Sequence, residues 1–118
     1  GEYPAADLPK LMRALSLVVQ LPRYEGYGMV PLEALASGVP FVGSDAGYYG
    51  AFSNAGRVGK VVPLGAAEAA AHAALSMLAR DDQAALSEAA RHWAEHRFSA
   101  RAEADGIEAV YRALWERG

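Results

Sequence analysis

LVVQLPRYEGYGMVPLEALASGVPFVG, residues 17–43, decides the fold of this chain. It opens on a compact apolar run, Leu17-Val18-Val19-Gln20-Leu21, closed by Pro22. Such a run predicts a strand buried on both faces. A loop through Gly26 to Gly28 follows. Pro31 fits the first turn of a helix that runs to about Ser37 and is ended by Gly38. Val39-Pro40-Phe41-Val42-Gly43 predicts a second buried strand. Two strands joined by a helix of this length pair in parallel through a right-handed crossover, which makes the class α/β.

Outward from this unit, Asp7 is placed to cap a helical pattern over residues 8–15. Downstream, Gly59-Lys60-Val61-Val62-Pro63 predicts a third strand. From about Ala66 the pattern is helical to the end: one helix over residues 66–79, a second starting at Asp81 or Asp82, and a third capped by Ser99 and reaching Trp115. Ile107, Val110, Tyr111, Leu114 and Trp115 form an apolar stripe at helical spacing that is expected to dock on the rest of the fold. The alanine-rich helices imply close packing. Three strands are few for such a sheet, whose mean is nearer five or six, so the sheet is expected to be partial or to pair with another chain.

Composition narrows the function classes. The 118 residues make one domain with room for a core, and a net charge of -3 offers no basic face for nucleic acid. There are no cysteines, which excludes disulfides and thiolate chemistry. No apolar run approaches the roughly 18–20 residues of a membrane span, and no signal-peptide layout is present, so the expected location is cytoplasmic. The opening Gly1-Glu2-Tyr3-Pro4 without an initiator methionine is that expected of a piece of a longer protein.

Two carboxylates stand out against this apolar background: Glu25 in the glycine loop, and Glu33, eight positions on, in the helix. In open parallel sheets ligands bind beyond the carboxyl ends of the strands, where loops lead into helix starts. Gly26 and Gly28 let backbone N–H groups approach a ligand closely. The helix start adds unpaired N–H groups and a positive dipole end, a natural seat for a diphosphate. Carboxylates beside an anion site make sense if they accept hydrogen bonds from sugar hydroxyls, with Glu25 and Glu33 holding a hexose and a ribose on either side of the phosphates. The plain alternative is a solvated loop carboxylate and a glutamate favoured by the helix dipole. A capping box does not explain Glu33, because Val30 cannot cap.

The run YEGYGMVPLEALASGVPFVGSDAG resembles the E-x7-E signature of the large family of retaining GT-B glycosyltransferases usually called family 4. LPKLMRALSLVVQLPRYEG is similar to that family's helix, strand and loop before the first glutamate. GRVGKVVPLG resembles its third strand, and RFSARAEADGIEAVYRALW its "FS" signature and closing helix. The resemblance implies the C-terminal, Rossmann-like donor domain of a hexosyltransferase using a nucleotide-diphospho-sugar. It implies that Glu25 lies against the transferred sugar and acts in catalysis, that Glu33 takes the ribose hydroxyls, and that the loop of Gly26, Tyr27, Gly28, Met29 and Val30 faces sugar and phosphates. It implies retention of configuration, no bound metal and no cofactor. The partners implied are a GDP- or UDP-sugar donor and a glycan or lipid-linked acceptor, with peripheral membrane association of the parent. The surroundings of Arg23-Tyr24-Glu25-Gly26 and the Gly-x-Phe turn further resemble bacterial lipopolysaccharide-core mannosyltransferases.

The chain departs from the family pattern in places. Arg23 stands where a small residue is common, and Tyr48-Tyr49-Gly50-Ala51-Phe52 replaces a Pro-Glu pair after Ser44-Asp45-Ala46-Gly47. The family's phosphate-binding Arg and Lys, its acceptor site and its catalytic His have no counterpart here, so the chain alone is expected to be inert as a transferase.

Other readings remain. His92-Trp93-Ala94-Glu95-His96 spells an inverted zincin motif, but such sites need a third ligand well downstream. His72 reads as a helix-surface residue. A two-carboxylate glycoside hydrolase would need one carboxyl in an apolar pocket and would leave the glycine loop unexplained. A non-catalytic binding or oligomerisation module would use the stripe Ile107 to Trp115, and its exposure would predict homo-oligomers.

Overall fold

The computed structural model describes residues 4–118. Gly1-Glu2-Tyr3, on which the expectation of a longer parent draws, lies outside the described residues. A short helix α1 (Leu8–Arg13) leads into strand β1 (Val18–Gln20), helix α2 (Met29–Ala36) and strand β2 (Phe41–Ser44). A 3-10 segment, Gly47–Val58, returns the chain to strand β3 (Gly59–Val62). Helices α3 (Ala67–Leu78), α4 (Gln83–Phe98) and α5 (Ala100–Arg117) complete it. The sheet is parallel, in the order β1-β2-β3, with Val18 opposite Phe41 and Phe41 opposite Gly59. The expected α/β class with three parallel strands and C-terminal helices is what the chain adopts.

Among the described residues, the central strand alone has the double cover that its apolar run predicts: all four residues of β2 are buried. On one face Phe41 joins Leu35 of α2 and Leu86, Ala90 and Ala94 of α4. Those three α4 residues recur every four positions, the stripe that turns a helix toward a core. On the other face Val42 and Val62 meet Ala70 and Met77 of α3. Strand β1 departs from expectation. It is the sheet edge, and Val19 is 49% exposed, because α3 covers β2 and β3 but leaves that face of β1 open.

Local chemistry explains the boundaries. Helix α2 stops in a Schellman turn: the Gly38 N–H donates to the Leu35 carbonyl at 2.9 Å and the Val39 N–H to that of Ala34 at 2.8 Å. Gly38 sits at φ +79, where only glycine is unstrained. Its bare α-carbon also admits α4, since a Cβ there would come within 2.3 Å of the Arg91 guanidinium. Ser99 caps α5 as expected, its Oγ accepting from the Ala102 N–H at 3.2 Å. Asp7 does not cap α1: it is itself helical, in a 3-10 turn, and its carboxylate lies 3.8 Å from Lys10. Asp82 precedes α4 but gives its carboxylate to Arg80, with two contacts of 2.8 Å, rather than to the helix amides.

The larger correction concerns α5. Its stripe docks on none of the described residues, with Trp115 88% and Tyr111 71% exposed. The helix packs against the end of α4 and then projects, which gives a radius of gyration of 15.9 Å where a compact chain of this length has about 13–14 Å.

Two glycines should respond oppositely to alanine in denaturant unfolding of the intact protein. Gly38→Ala meets both a forbidden φ and the Arg91 side chain and is expected to lose more than about 1 kcal/mol. Gly106→Ala, in the interior of α5 with open space around it, is expected to gain about 0.5–1 kcal/mol. Equal effects at the two sites would contradict this account.

Candidate functional site

The loops that follow β1 and β2 leave the sheet at its carboxyl edge, and there they are fastened to each other. The Tyr48 N–H donates to the Gly26 carbonyl at 3.2 Å. Gly47, at φ +54, lies so close to the first loop that a Cβ would fall 1.7 Å from the Glu25 carbonyl oxygen. Ser44, buried at the end of β2, donates its hydroxyl to the Pro22 carbonyl. Tyr49 is fully buried among Phe41 and Phe52, and its hydroxyl donates to the Gln20 side chain at the end of β1.

Glu25 sits in this fastened loop, half-buried, with one carboxylate oxygen accepting the Gly26 N–H at 2.9 Å. Glu33 is the fifth residue of α2 and also half-buried. Among the described residues its carboxylate has no hydrogen-bond or ion-pair partner. Helical side chains lean toward the N-terminus of their helix, so Glu33 inclines toward the glycine loop. The amides of Tyr27, Gly28, Met29 and Val30, at the start of α2, donate to no backbone carbonyl among the described residues, as expected around a first turn. Carboxylates and free amides thus share one edge of the sheet.

The two loop glycines have different reasons. A Cβ on Gly26 would meet nothing within 4 Å, so its face is open to an incoming group. Gly28 is buried at φ +86, and a Cβ there would strike the Tyr49 ring at 2.8 Å. Its bare α-carbon therefore serves internal packing. A cleft of about 200 Å³ opens at the same edge between Leu21, Ser44, Val62 and the start of α3, and Arg23 lines it. The residue that departs from the family pattern thus brings a cation to the edge.

The sequence reading did not find Tyr49, Gln20, Ser44 or Gly47. The Tyr48-Tyr49 pair was visible only as a departure from a familiar pattern. Elsewhere, His92 and His96 lie with ring centroids 3.9 Å apart on the surface of α4. Nδ1 of His96 bonds the His92 carbonyl at 2.9 Å. The described residues contain no group of three or more potential metal ligands. No helix among them is long and apolar enough to cross a membrane.

A glycine turn, a helix start and two carboxylates thus lie at the carboxyl edge of a parallel sheet, the edge at which open α/β domains generally bind ligands. Residues 1–93 match the family described as glycosyl transferases group 1, and the chain belongs to that family. It is 34% identical over 119 residues to the lipopolysaccharide core biosynthesis mannosyltransferase LpsB of Rhizobium meliloti (strain 1021), a match that covers 97% of this chain and 33% of that protein. It is 38% identical over 115 residues to the lipopolysaccharide core biosynthesis mannosyltransferase LpcC of Rhizobium leguminosarum bv. viciae, covering 97% and 32%. The chain therefore spans about a third of the length of the curated relatives it matches. Both the family read from the E-x7-E run and the narrower resemblance to lipopolysaccharide-core enzymes are supported by these matches.

The fastening of the loops has a pH signature. Tyr49 is pushed up to about 12, by burial first and by the charge of Glu25 second. The folded protein therefore holds this phenolic proton more tightly than the unfolded chain, whose tyrosines ionise near 10. The stability it contributes is complete below about pH 10 and lost as pH rises through about 12. Comparing the unfolding free energies of wild type and Tyr49→Phe across that window should show a steeper fall in wild type. Parallel curves would mean that Tyr49 is not held in this environment.

Proposed function

We propose that this chain is the donor-binding part of a retaining, metal-independent hexosyltransferase that takes a sugar from a nucleotide diphosphate. The observation that carries the reading is the gathering of Glu25, the unpartnered Glu33 carboxylate and the free amides of residues 27–30 at one sheet edge. In this reading the α2 start and its amides seat the diphosphate, where they neutralise the charge that builds on the leaving group. Glu33 accepts hydrogen bonds from the ribose hydroxyls. Glu25 accepts them from the hexose and acts in the transfer. Arg23 adds positive charge beside the phosphates.

The relatives' names support mannose as the sugar, and a lipopolysaccharide-core glycan, soluble or lipid-linked, as the acceptor. The acceptor is then bound by parts of the parent protein outside this chain. The parent acts in the cytoplasm, at the inner face of the membrane. The exposed stripe on α5 favours a second reading, a docking or oligomerisation module. That reading expects no nucleotide binding at all.

Calorimetric titration of the intact protein with GDP-, UDP- and ADP-sugars, each beside its bare nucleoside diphosphate, separates the readings. One nucleotide series is expected to bind. Glu33→Ala should weaken sugar nucleotide and bare diphosphate alike by about tenfold or more, the loss of hydrogen bonds to a charged group. Glu25→Ala should weaken only the sugar nucleotide. Absence of binding in wild type, or an inert Glu33→Ala, sinks the donor-site reading and leaves the docking module.

A further inference from the structure

Two stacked tyrosines, Tyr27 and Tyr48, stand on the loops at this edge of the sheet. Tyr27 and Tyr48 come from different loops, yet their rings stack with centroids 5.1 Å apart and planes 6° from parallel. The pair does not fill a core: Tyr27 is 53% and Tyr48 45% exposed. The buried anchor of the second loop is the next residue, Tyr49, which is wholly enclosed. Tyr48 is thus left free to present its ring at the surface.

The backbone holds the ring pair in register with Glu25. Gly47 abuts the Glu25 carbonyl, and the Tyr48 N–H bonds the Gly26 carbonyl at 3.2 Å. The stack is therefore tied to the Glu25 backbone by neighbours on both loops, with Tyr27 two residues after Glu25 and Tyr48 one after Gly47. A flat aromatic face beside a carboxylate is complementary to a pyranose. The negative face of the ring meets the sugar's C–H groups, which carry partial positive charge. The hydroxyls at the sugar's rim donate to the carboxylate, a charge-assisted bond. A nucleobase would also stack on such a ring, but it has no vicinal hydroxyls to offer Glu25, whereas a hexose satisfies both surfaces at once.

We propose that the Tyr27–Tyr48 stack is the platform for the donor's hexose and that Tyr48 is a specificity-determining residue of the site. This rests on the donor-site reading above and names which part of the donor the second loop reads. The replacement of the expected Pro-Glu pair by Tyr48-Tyr49 then has a purpose: one tyrosine locks the loop to the sheet and the other faces the sugar.

The test uses the intact protein and separates sugar from nucleotide. Wild type, Tyr48→Ala and Tyr48→Phe are titrated with GDP-mannose and UDP-glucose, each beside GDP or UDP alone. Tyr48→Ala is expected to weaken the sugar nucleotide that binds by about fivefold to tenfold, the worth of an aromatic face, while the bare diphosphate changes less than about twofold. Tyr48→Phe keeps the ring and should keep the wild-type affinity for both. Retained diphosphate binding also reports that the variant is folded. Equal weakening of both ligands by Tyr48→Ala would assign the ring to the base or to loop placement and overturn the inference, as would no weakening of either. If wild type binds neither sugar nucleotide nor diphosphate, the donor-site reading itself fails and this inference falls with it. A normal diphosphate affinity with no sugar-dependent loss overturns the platform alone.

Discussion

The burial of one tyrosine ring is the constraint on which the site edge depends. Tyr49 has no exposed surface; two glycines make room for it and one side chain holds it. A Cβ at Gly28 or at Gly43 would enter its ring at 2.8 Å. Its hydroxyl is satisfied by Gln20 at the end of β1. One side chain therefore joins the ends of β1 and β2 to the start of α2. Burying a phenol without a partner is costly, so the Gln20 contact is part of what allows the ring inside. Phe41 and Phe52 surround it edge-on, an arrangement that aromatic quadrupoles favour.

From that anchor the geometry of the candidate site follows. The second loop is drawn down onto the first, Gly47 meets Glu25, and the glycine turn is held at the mouth of α2. The carboxylate and free amides are then presented by a rigid edge rather than by two independent loops, which is what positioning a charged ligand requires. Glu25 in turn acts on the anchor, since its charge adds to burial in keeping the Tyr49 proton in place.

The rest of the chain divides into packed and unpacked apolar surface. Alanines at 90 and 94 of α4 let that helix lie close over Leu35 and Phe41, so their small size is a packing device. Val19 on β1 and the α5 stripe are apolar positions that the described residues leave exposed. Their patterns read as core because periodicity reports which face is apolar, not what lies against it.

Sequence alone determined the strand–loop–helix–strand unit, because apolar runs punctuated by Pro22, Pro31 and Gly38 leave few backbone conformations open. It determined the parallel α/β class, the Ser99 cap and the two glutamates, since these follow from local spacing and the chemistry of single residues. The E-x7-E run also carried the family, which the matches support. Tertiary structure alone decided that Gly28 yields its space to Tyr49, that Asp82 serves Arg80 rather than the α4 amides, that Tyr48 stacks on Tyr27, and that β1 is an edge. Each of these depends on contacts between residues distant in the chain or on competition among partners for one group. No local pattern encodes which of two available partners a side chain takes when the fold brings both within reach.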